Sequence, residues 1–432
     1  MPDKYYIQFT EEMKRDYTIL VPAMLPIHFE FINSVLSYFG YRAEILRGSG
    51  ESVIEKGLKY VHNDACYPAL LTIGQLIEAL QSGKYDPLKT ALMMSQTGGG
   101  CRASNYVSML RKALEKAGFG HVPVISFNVE GMEKHPGFKM TPGMLYRLLF
   151  GVLYGDLLMA LKNQCLPYEL DPGATKALVD RKTAVFAERL RKKRVLSFAG
   201  LKRDLADTVR DFAALRLSDE KKPKIGVVGE IYVKFSSLGN NDLEEFLISE
   251  GAEPVLPGLL DFCLYCVCNA VADTGLYGIK KIKGAISKIL YDYLIRKQKL
   301  IIKAIAAGEK FTPMTPFDRT ARLSEGYIGK GVKMGEGWLL TAEMLELAEQ
   351  GASGIVCAQP FGCLPNHIAG KGMMKPLRDK NPGLGIVAID YDPGVTRTAQ
   401  ENRIKLMLAG INRNSDKTKG EVSREHNEQR IG

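Results

Sequence analysis

Residues 17–48, YTILVPAMLPIHFEFINSVLSYFGYRAEILRG, carry the pattern that decides the fold class of this chain. Residues 17–24 are an apolar run closed by proline, which predicts a buried strand. Apolar residues then recur every three or four positions as far as Phe39, and Gly40 ends this predicted helix. Residues 41–48 predict a second strand. A strand, a helix and a strand within about 30 residues are typical of a parallel α/β sheet.

The same alternation continues along the rest of the chain. It predicts further strands at residues 90–96, 122–131, 224–233, 351–360 and 384–392. It predicts further helices at residues 66–80, 101–117, 242–251, 339–351 and 397–411. We therefore expect an α/β fold with two parallel-sheet halves.

The predicted domain organisation has four parts. Residues 1–137 form a first α/β domain, and residues 138–222 form a helical connection or cap. Residues 223–411 form a second α/β domain that contains a long helical insertion, and the polar residues 412–432 predict a disordered tail. Ligands of open α/β sheets bind at the carboxyl ends of the strands, so we expect the two halves to face each other across a cleft.

The composition is that of a soluble globular protein, with 46% hydrophobic and 25% charged residues. The net charge of +10 is spread along the chain, and we interpret its densest run, RLRKKR at 189–194, as a solvated helix face. No nucleic-acid-binding fold or interleaved aromatic residues accompany this run. No stretch approaches the about 20 apolar residues of a membrane span, and the N-terminus lacks a secretory signal. We expect a cytoplasmic protein that binds neither nucleic acid nor membrane.

Three of the eight cysteines lie where predicted helices begin: Cys66, Cys101 and Cys363. A helix N-terminus offers unpaired N–H groups and a partial positive charge, which favour the thiolate form. The glycines at 98–100 let the backbone approach a bulky group beside Cys101, and TGGGCRAS fits neither common phosphate-binding consensus. Three thiolates converging from three loops would form a binding site for a metal–sulfur centre.

Two other interpretations of these cysteines stay open on the residues alone. They could be unrelated core thiols, or one could pair with a histidine, since His62 lies four residues before Cys66 and His367 four after Cys363. Cys357 lies inside a predicted strand, so we expect it to point into the core, and it is the second choice as a metal ligand. We interpret the remaining cysteines as small buried apolar residues: Cys165, Cys263, Cys266 and Cys268.

Several longer motifs resemble the 2-hydroxyacyl-CoA dehydratase superfamily, which includes benzoyl-CoA reductase subunits and double-cubane cluster proteins. The motifs are HNDACYPALLTIGQLIEAL at 62–80, GGGCRASNY at 98–106, VVGEIYVKF at 227–235, GEGWLLTAEM at 335–344, QPFGCLPNHIAGKG at 359–372 and IVAIDYDPGVTRTAQENRIKLML at 386–408. The likeness is closest to the branch called acyl-CoA dehydratase activase-related. It covers nearly the whole chain up to about residue 410.

The resemblance implies two flavodoxin-like α/β domains that face each other across a cluster-binding cleft, plus a helical segment. It implies Cys66, Cys101 and Cys363 as ligands of an iron–sulfur cluster, either a [4Fe–4S] cluster or a double cubane. It also implies candidate catalytic residues that border the cluster: Glu230, Asn240, Asn241, Glu336 and His367. Helix capping, turn formation and packing are the alternative roles of these five residues.

The function implied by the resemblance is that of an oxygen-sensitive iron–sulfur enzyme component, a dehydratase (lyase) or a reductase, which forms a dimer. Such a component accepts low-potential electrons from a separate ATP-dependent activator protein, because this chain has no nucleotide-binding loop of its own. It passes them to a small-molecule substrate such as an acyl-CoA. There are three alternatives: a double-cubane reductase of small molecules without CoA, a non-catalytic iron–sulfur carrier and a metal-free α/β binding module.

Overall fold

The computed structural model describes residues 5–48, 50–62, 65–128, 133–192, 195–279 and 281–413. These residues form two four-stranded sheets, and every strand pair in both sheets is parallel. Helices connect the strands. The structure therefore confirms the α/β class and the two parallel sheets.

The first sheet comprises β1 (Thr18–Pro22), β2 (Arg42–Leu46), β3 (Thr90–Ser95) and β4 (Val124–Phe127). Their order is β2-β1-β3-β4. The chain runs from β1 to β2 on one side and then to β3 on the other side, so the direction of winding reverses between β1 and β3. Part of the strand predicted at 122–131 lies outside the described residues.

The helices around this sheet are α1 (Glu11–Asp16), α2 (Pro26–Tyr38), α3 (Glu51–Tyr60), α4 (Tyr67–Gln81) and α5 (Tyr106–Ala117). The sequence pattern did not predict α3, which buries only Val53 and Gly57 and therefore has a narrow apolar face. The helix predicted to begin at Cys101 starts with a 3₁₀ turn, Arg102–Asn105, before α5. The left-handed Gly118 ends α5, as the sequence predicted.

The described part of 138–222 contains three long helices, in line with the predicted helical segment: α6 (Pro142–Cys165), α7 (Ala174–Arg191) and α8 (Phe198–Ala213). Thr141 caps α6, because its side chain accepts the N–H of Met144. The rings of Tyr154 and Phe186 stack with centroids 4.0 Å apart and hold α6 against α7.

The second sheet comprises β5 (Lys224–Gly229), β6 (Glu253–Val255), β7 (Gly354–Pro360) and β8 (Gly385–Tyr391). Its order, β6-β5-β7-β8, repeats the order of the first sheet. The strand predicted at 224–233 extends beyond the end of β5 at Gly229, because Glu230 caps a helix instead of continuing the strand. The pattern did not predict β6, which has three residues and is too short to show a period.

The remaining helices are α9 (Ile231–Phe235), α10 (Ser237–Asn240), α11 (Leu243–Ser249), α12 (Leu259–Tyr277), α13 (Lys281–Ala306), α14 (Phe317–Leu323), α15 (Trp338–Glu349), α16 (Met374–Lys380) and α17 (397–413). The tail predicted from residue 412 therefore begins inside a helix. Residues 414–432 lie outside the described residues.

Two helices correct the expectation that no stretch approaches a membrane span. By length and composition alone, Pro142–Tyr168 and Leu259–Tyr277 are apolar enough to cross a bilayer. The apolar window of the first is 67% buried, which is typical of a core helix, whereas that of the second is 22% buried. The second helix carries three cysteines that were predicted to be buried: Cys266 is exposed, and Cys263 and Cys268 are only partly buried. Cys165 and Cys357 are buried, as predicted.

Candidate metal centre

Three of the predicted site residues follow strands that flank the reversal of strand order. Cys101 lies in the loop after β3, Glu230 comes directly after β5, and Cys363 follows β7. In each sheet the order reverses beside these strands, between β1 and β3 and between β5 and β7. Open α/β sheets bind ligands outside the carboxyl ends of such strands. The topology therefore puts all three residues at the strand ends where sheets of this kind bind ligands.

Cys66 is the N-cap residue of α4 and is buried. Pro68 lies in the first turn of this helix, where its missing N–H costs no hydrogen bond and its fixed φ favours the helix. The Cys66 sulfur lies 2.8 Å from the hydroxyl oxygen of Tyr106, the first residue of α5. A polar contact therefore joins the loop of Cys66 to the helix that follows Cys101.

A backbone contact joins the loop of Cys66 to the loop of Cys363. Tyr67 donates its N–H to the carbonyl oxygen of Phe361 at 3.1 Å. A Cβ atom on the neighbouring Gly362 would lie 3.3 Å from the Cys66 Cα. The two cysteine-bearing segments, one from each sheet half, thus pass each other closely, and glycine provides the space.

Cys101 begins the 3₁₀ turn that precedes α5. Its carbonyl accepts both the N–H of Ser104, at 3.1 Å, and the Ser104 hydroxyl, at 2.7 Å. A Cβ atom on Gly335 would lie 3.7 Å from the Cys101 sulfur and 3.0 Å from Cγ of Pro365. Gly335 therefore leaves space between the partly buried Cys101 and the segment after Cys363.

Cys363 is buried and starts the irregular helical segment that follows β7. Its carbonyl accepts the N–H of His367 at 3.2 Å. The amide Nδ2 of the buried Asn366 donates to the Cys363 sulfur at 3.4 Å. This donor lies within the turn that the cysteine begins, as a ligand-orienting group would.

All three thiols interact electrostatically with one carboxylate, that of Glu230. The thiols of Cys101 and Cys363 also interact with Glu336, and those of Cys66 and Cys101 interact with each other. Tertiary folding thus brings three cysteines that are far apart in sequence to the carboxylate of Glu230, and two of them also to that of Glu336.

The protonation of these thiols differs from the sequence-based expectation. Burial raises the pKa of the Cys66 thiol to about 11, and it also raises the pKa of the Cys101 and Cys363 thiols. Backbone N–H groups at the helix starts lower all three pKa values, but by less than burial raises them. The prediction that these positions favour thiolate is therefore wrong for the chain alone, since burial outweighs the helix end. A bound metal cation would reverse this balance.

Glu230 and Glu336 meet at the start of α9. Glu230 caps this helix and accepts the N–H of Val233 at 2.9 Å, while Glu336 accepts the N–H of Ile231 at 3.0 Å. Burial, and then the charge of Glu336, raise the pKa of Glu230 to about 8. Burial likewise raises the pKa of Glu336. Both carboxyls hold a proton more readily than exposed glutamates do.

Asn240 and Asn241 have structural roles. The Asn240 amide donates to the Val233 carbonyl at 2.8 Å and accepts the N–H of Leu243, the first residue of α11, at 3.1 Å. Asn241 has a positive φ of 54° and donates to Gln400 at 2.8 Å. These contacts match the capping and turn-forming alternatives. None of these contacts joins either amide to the three thiols.

His367 is exposed, and its Nδ1 lies 2.7 Å from the side-chain nitrogen of the buried Gln359. Its contact with Cys363 is through the backbone. His62 is exposed, whereas Cys66 is buried. A Cys–His pair requires the two side chains to meet, whereas the side chain of His367 contacts Gln359 instead.

Cys357 lies in a different electrostatic environment from the three thiols. It is fully buried in β7, and its sulfur would be 3.1 Å from a Cβ atom on Gly370. The charges nearest to it are those of Asp390, Glu343 and Lys371. It therefore packs in the core, as predicted for a strand residue.

The donor set can be compared with what different metals require. Thiolates are soft donors that select iron–sulfur clusters, zinc or copper rather than magnesium or calcium. In the described residues, no group of three or more His, Cys, Asp or Glu side chains is arranged to hold a single metal ion. A cluster requires a different arrangement, because each cysteine binds a different iron atom. The glycine gaps at Gly335 and Gly362 and the three converging thiols are compatible with such a group.

Sequence reasoning missed three polar side chains beside the site: Tyr106, Asn366 and Lys234. Each lies within a quoted motif, but only the folded chain puts Tyr106 on the sulfur of Cys66 and Asn366 on that of Cys363. Lys234 is 2% exposed and interacts electrostatically with Glu230 and Glu336. A buried lysine in an apolar motif could have been noticed from its type alone.

Comparison with known proteins adds no family assignment. No family model matches this chain, and no curated protein matches it. The family resemblance therefore stays a prediction that rests on the motifs themselves.

Proposed function

We propose that this chain is an iron–sulfur enzyme component of the 2-hydroxyacyl-CoA dehydratase type. It would accept low-potential electrons from a separate ATP-dependent activator protein and pass them to a small-molecule substrate such as an acyl-CoA. The observation that carries the proposal is the close approach of the three cysteine-bearing segments: the Cys66 sulfur lies 2.8 Å from the Tyr106 hydroxyl, and Tyr67 donates to the Phe361 carbonyl at 3.1 Å. The interaction of all three thiols with the carboxylate of Glu230 agrees with it. Separate strand-end loops supply Cys101 and Cys363, as expected for a built ligand site.

In this proposal Cys66, Cys101 and Cys363 hold the cluster, which is either a [4Fe–4S] cluster or a double cubane. When bound, such a cluster supplies one-electron chemistry at an iron that lacks a protein ligand. The chain's own residues orient the ligands: the Tyr106 hydroxyl contacts the sulfur of Cys66, and the Asn366 amide donates to that of Cys363.

The surrounding protein would also exclude water from the ligand sulfurs. Cys66 and Cys363 are 5% and 6% exposed, so the low dielectric around them strengthens the hydrogen bonds they receive. Glu230 and Glu336 would hold protons near the centre, because burial favours their neutral forms. A reduction that consumes protons needs such donors close by.

We further propose that the two sheets belong to flavodoxin-like domains that face each other across this site. The order β2-β1-β3-β4, repeated as β6-β5-β7-β8, matches the first four strands of the flavodoxin-like order. The hydrogen bond between Tyr67 and Phe361 supports a facing arrangement, since it joins loops from the two halves.

Two alternative functions would use the same thiols: a double-cubane reductase of small molecules without CoA, and a non-catalytic iron–sulfur carrier. All of these functions suit a cytoplasmic dimer. Three apolar side chains near Cys363 are exposed: Phe361, Leu364 and Ile368. This apolar surface favours an enzyme component to which an electron-donor protein docks over a carrier that works alone, because the donor must approach the site closely.

Anaerobic purification followed by iron and acid-labile sulfide analysis and electron paramagnetic resonance tests the proposal. We expect a coloured protein with a paramagnetic signal after reduction. The iron count separates one cubane from two, and turnover with a strong reductant and the activator separates an enzyme from a carrier. A colourless protein without iron would instead favour a metal-free binding module.

A further inference from the structure

Five carboxyl groups, here called the acid array, lie together inside the second half of the protein. They are Glu230, Glu336, Glu343, Glu346 and Asp261. The last four of these side chains are at most 5% exposed. Buried acids in this number are rare in proteins, because desolvation disfavours their charged forms.

A single ammonium group links the acid array. Nζ of Lys234 lies 3.0 and 3.2 Å from the two carboxylate oxygens of Glu343. The charge of Lys234 also interacts with each of the other four carboxyls. One ammonium cannot neutralise five carboxylates in a low dielectric, so part of the array must be protonated at neutral pH. Consistent with this, burial raises the pKa of Glu346, like that of Glu230, to about 8.

The acid array is continuous from the candidate centre to the far end of α15. Glu343 pairs with Lys234 of α9, while Glu336 and Glu230 accept N–H groups in the first turn of the same helix, so the three carboxyls meet at α9. In the other direction, Glu346 lies three residues from Glu343 on the same face of α15 and interacts with Asp261. Asp156 of α6, which is paired with His28, adds its charge beside Asp261.

A cavity of about 40 Å³ lies at the far end of the acid array. Asp261, Glu346 and Asn163 line it, and its wall extends to the partly exposed Lys224 and Gln350. The Asn163 carbonyl oxygen is buried and has no hydrogen-bond partner among the described residues. A cavity of this volume has room for about two water molecules, and the polar side chains in its largely apolar lining offer them hydrogen-bond partners.

We infer that the acid array stores protons and delivers them to the candidate centre, and that waters in this cavity refill it from the solvent. The delivery of protons to the centre rests on the proposed function, because the proposed reduction would consume them. As an electron from the activator raises the negative charge at the centre, a carboxylic acid of the array gives up its proton toward that charge. The carboxylate left behind regains a proton through the cavity waters.

Infrared spectroscopy of the iron-free chain tests directly whether the acid array holds protons. We expect a carboxylic acid C=O band at neutral pH that shifts promptly in D₂O, because the cavity exchanges with solvent. Glu346→Gln should remove part of this band, whereas the exposed control Glu55→Gln should leave it unchanged. Asn163→Leu, which removes the polar partner of the cavity waters, should keep the band but slow its shift at least about tenfold.

Several outcomes would overturn the inference: no acid band at neutral pH, a band unaffected by Glu346→Gln, or prompt exchange in Asn163→Leu. If Asn163→Leu does not fold, Asn163→Ser keeps a polar group, and we expect it to exchange like the wild type. Slow exchange in that variant would count against a water-filled entrance. Because the spectra need no metal, failure of the proposed function would appear in the iron analysis and not here.

Discussion

The hydroxyl oxygen of Tyr106 lies 2.8 Å from the sulfur of Cys66, although forty residues separate them in sequence. Tyr106 begins the helix that follows Cys101, so one side chain joins two of the predicted ligands. The hydroxyl lowers the pKa of the Cys66 thiol, against the larger rise that burial causes. It therefore favours the form of Cys66 that binds metal.

Tyr106→Phe should keep the fold and lower the free energy of unfolding by about 1 kcal/mol, the usual net value of a hydrogen bond. In the loaded protein we expect a lower reduction potential, because a donor near a cluster sulfur favours the more reduced, more negative state. Urea denaturation and a redox titration measure the two effects. Tyr60→Phe, which removes a surface hydroxyl that accepts from Gln81, is the control, and an equal change there would refute the assignment.

Replacing Cys66, Cys101 or Cys363 with alanine should abolish loading of the cofactor, because the remaining thiols cannot hold it. Replacing Cys263, Cys266 or Cys268 should leave the iron content unchanged, since these residues lie on α12 and not in the segments that carry the three predicted ligands. Iron analysis after anaerobic purification measures the result. Full iron content in all three variants at Cys66, Cys101 and Cys363 would contradict their assignment as ligands.

Lys234→Met should destabilise the protein by about 3–5 kcal/mol at neutral pH, since it leaves the buried Glu343 without its partner. Lys288→Met breaks an exposed pair with Asp292 and should change the stability by less than about 0.5 kcal/mol. Urea unfolding compares the two. Similar losses in both variants would show that burial of the Lys234 pair does not matter.

The loss in Lys234→Met should grow as the pH rises. Burial raises the pKa of Glu343 in the folded chain, while the charge of Lys234 lowers it. An acid whose pKa is raised by folding adds stability at low pH that is lost as the pH rises through the folded value. Without Lys234 that pKa rises further, so the deficit should be smaller near pH 5 than near pH 8. A deficit independent of pH would contradict this.

Ile282, Ile286 and Ile289 are exposed and recur on α13 with the three- and four-residue spacing of a helix–helix seam. We expect a second copy of the chain to pack on this seam and form the proposed dimer. Ile286→Glu should convert the dimer to a monomer in size-exclusion chromatography with light scattering. Leu406→Glu alters an exposed leucine of α17 and should not. A wild-type monomer would refute the seam as a dimer interface.

Gly74→Ala should destabilise the contact between α3 and α4 by about 1–3 kcal/mol, the usual range for overpacking. A Cβ atom there would overlap the carbonyl oxygen of Val53 and lie 2.9 Å from the nitrogen of Gly57. Gly275→Ala, in a helix with no atom within 4 Å of the new Cβ, should stabilise by about 0.5–1 kcal/mol. Thermal unfolding would show shifts of opposite sign, and shifts of the same sign would contradict the contact.

The sequence by itself determined the alternation of strands and helices, because hydrophobic period and Gly and Pro positions are local properties. It also determined that Cys66 caps a helix and that Cys101 and Cys363 follow strands, since those positions depend on nearby residues. It failed at Glu230, where the apolar run continued but the carboxylate capped a helix instead.

Only the tertiary structure decided which side chains meet. The contact of Tyr106 with Cys66, the placement of Lys234 among five acids and the exposure of Cys266 depend on packing between segments far apart in sequence. Burial is also a tertiary property, and it raises the pKa values of the thiols against the local effect of the helix ends. Desolvation by the whole fold outweighs the few N–H groups that the local sequence provides.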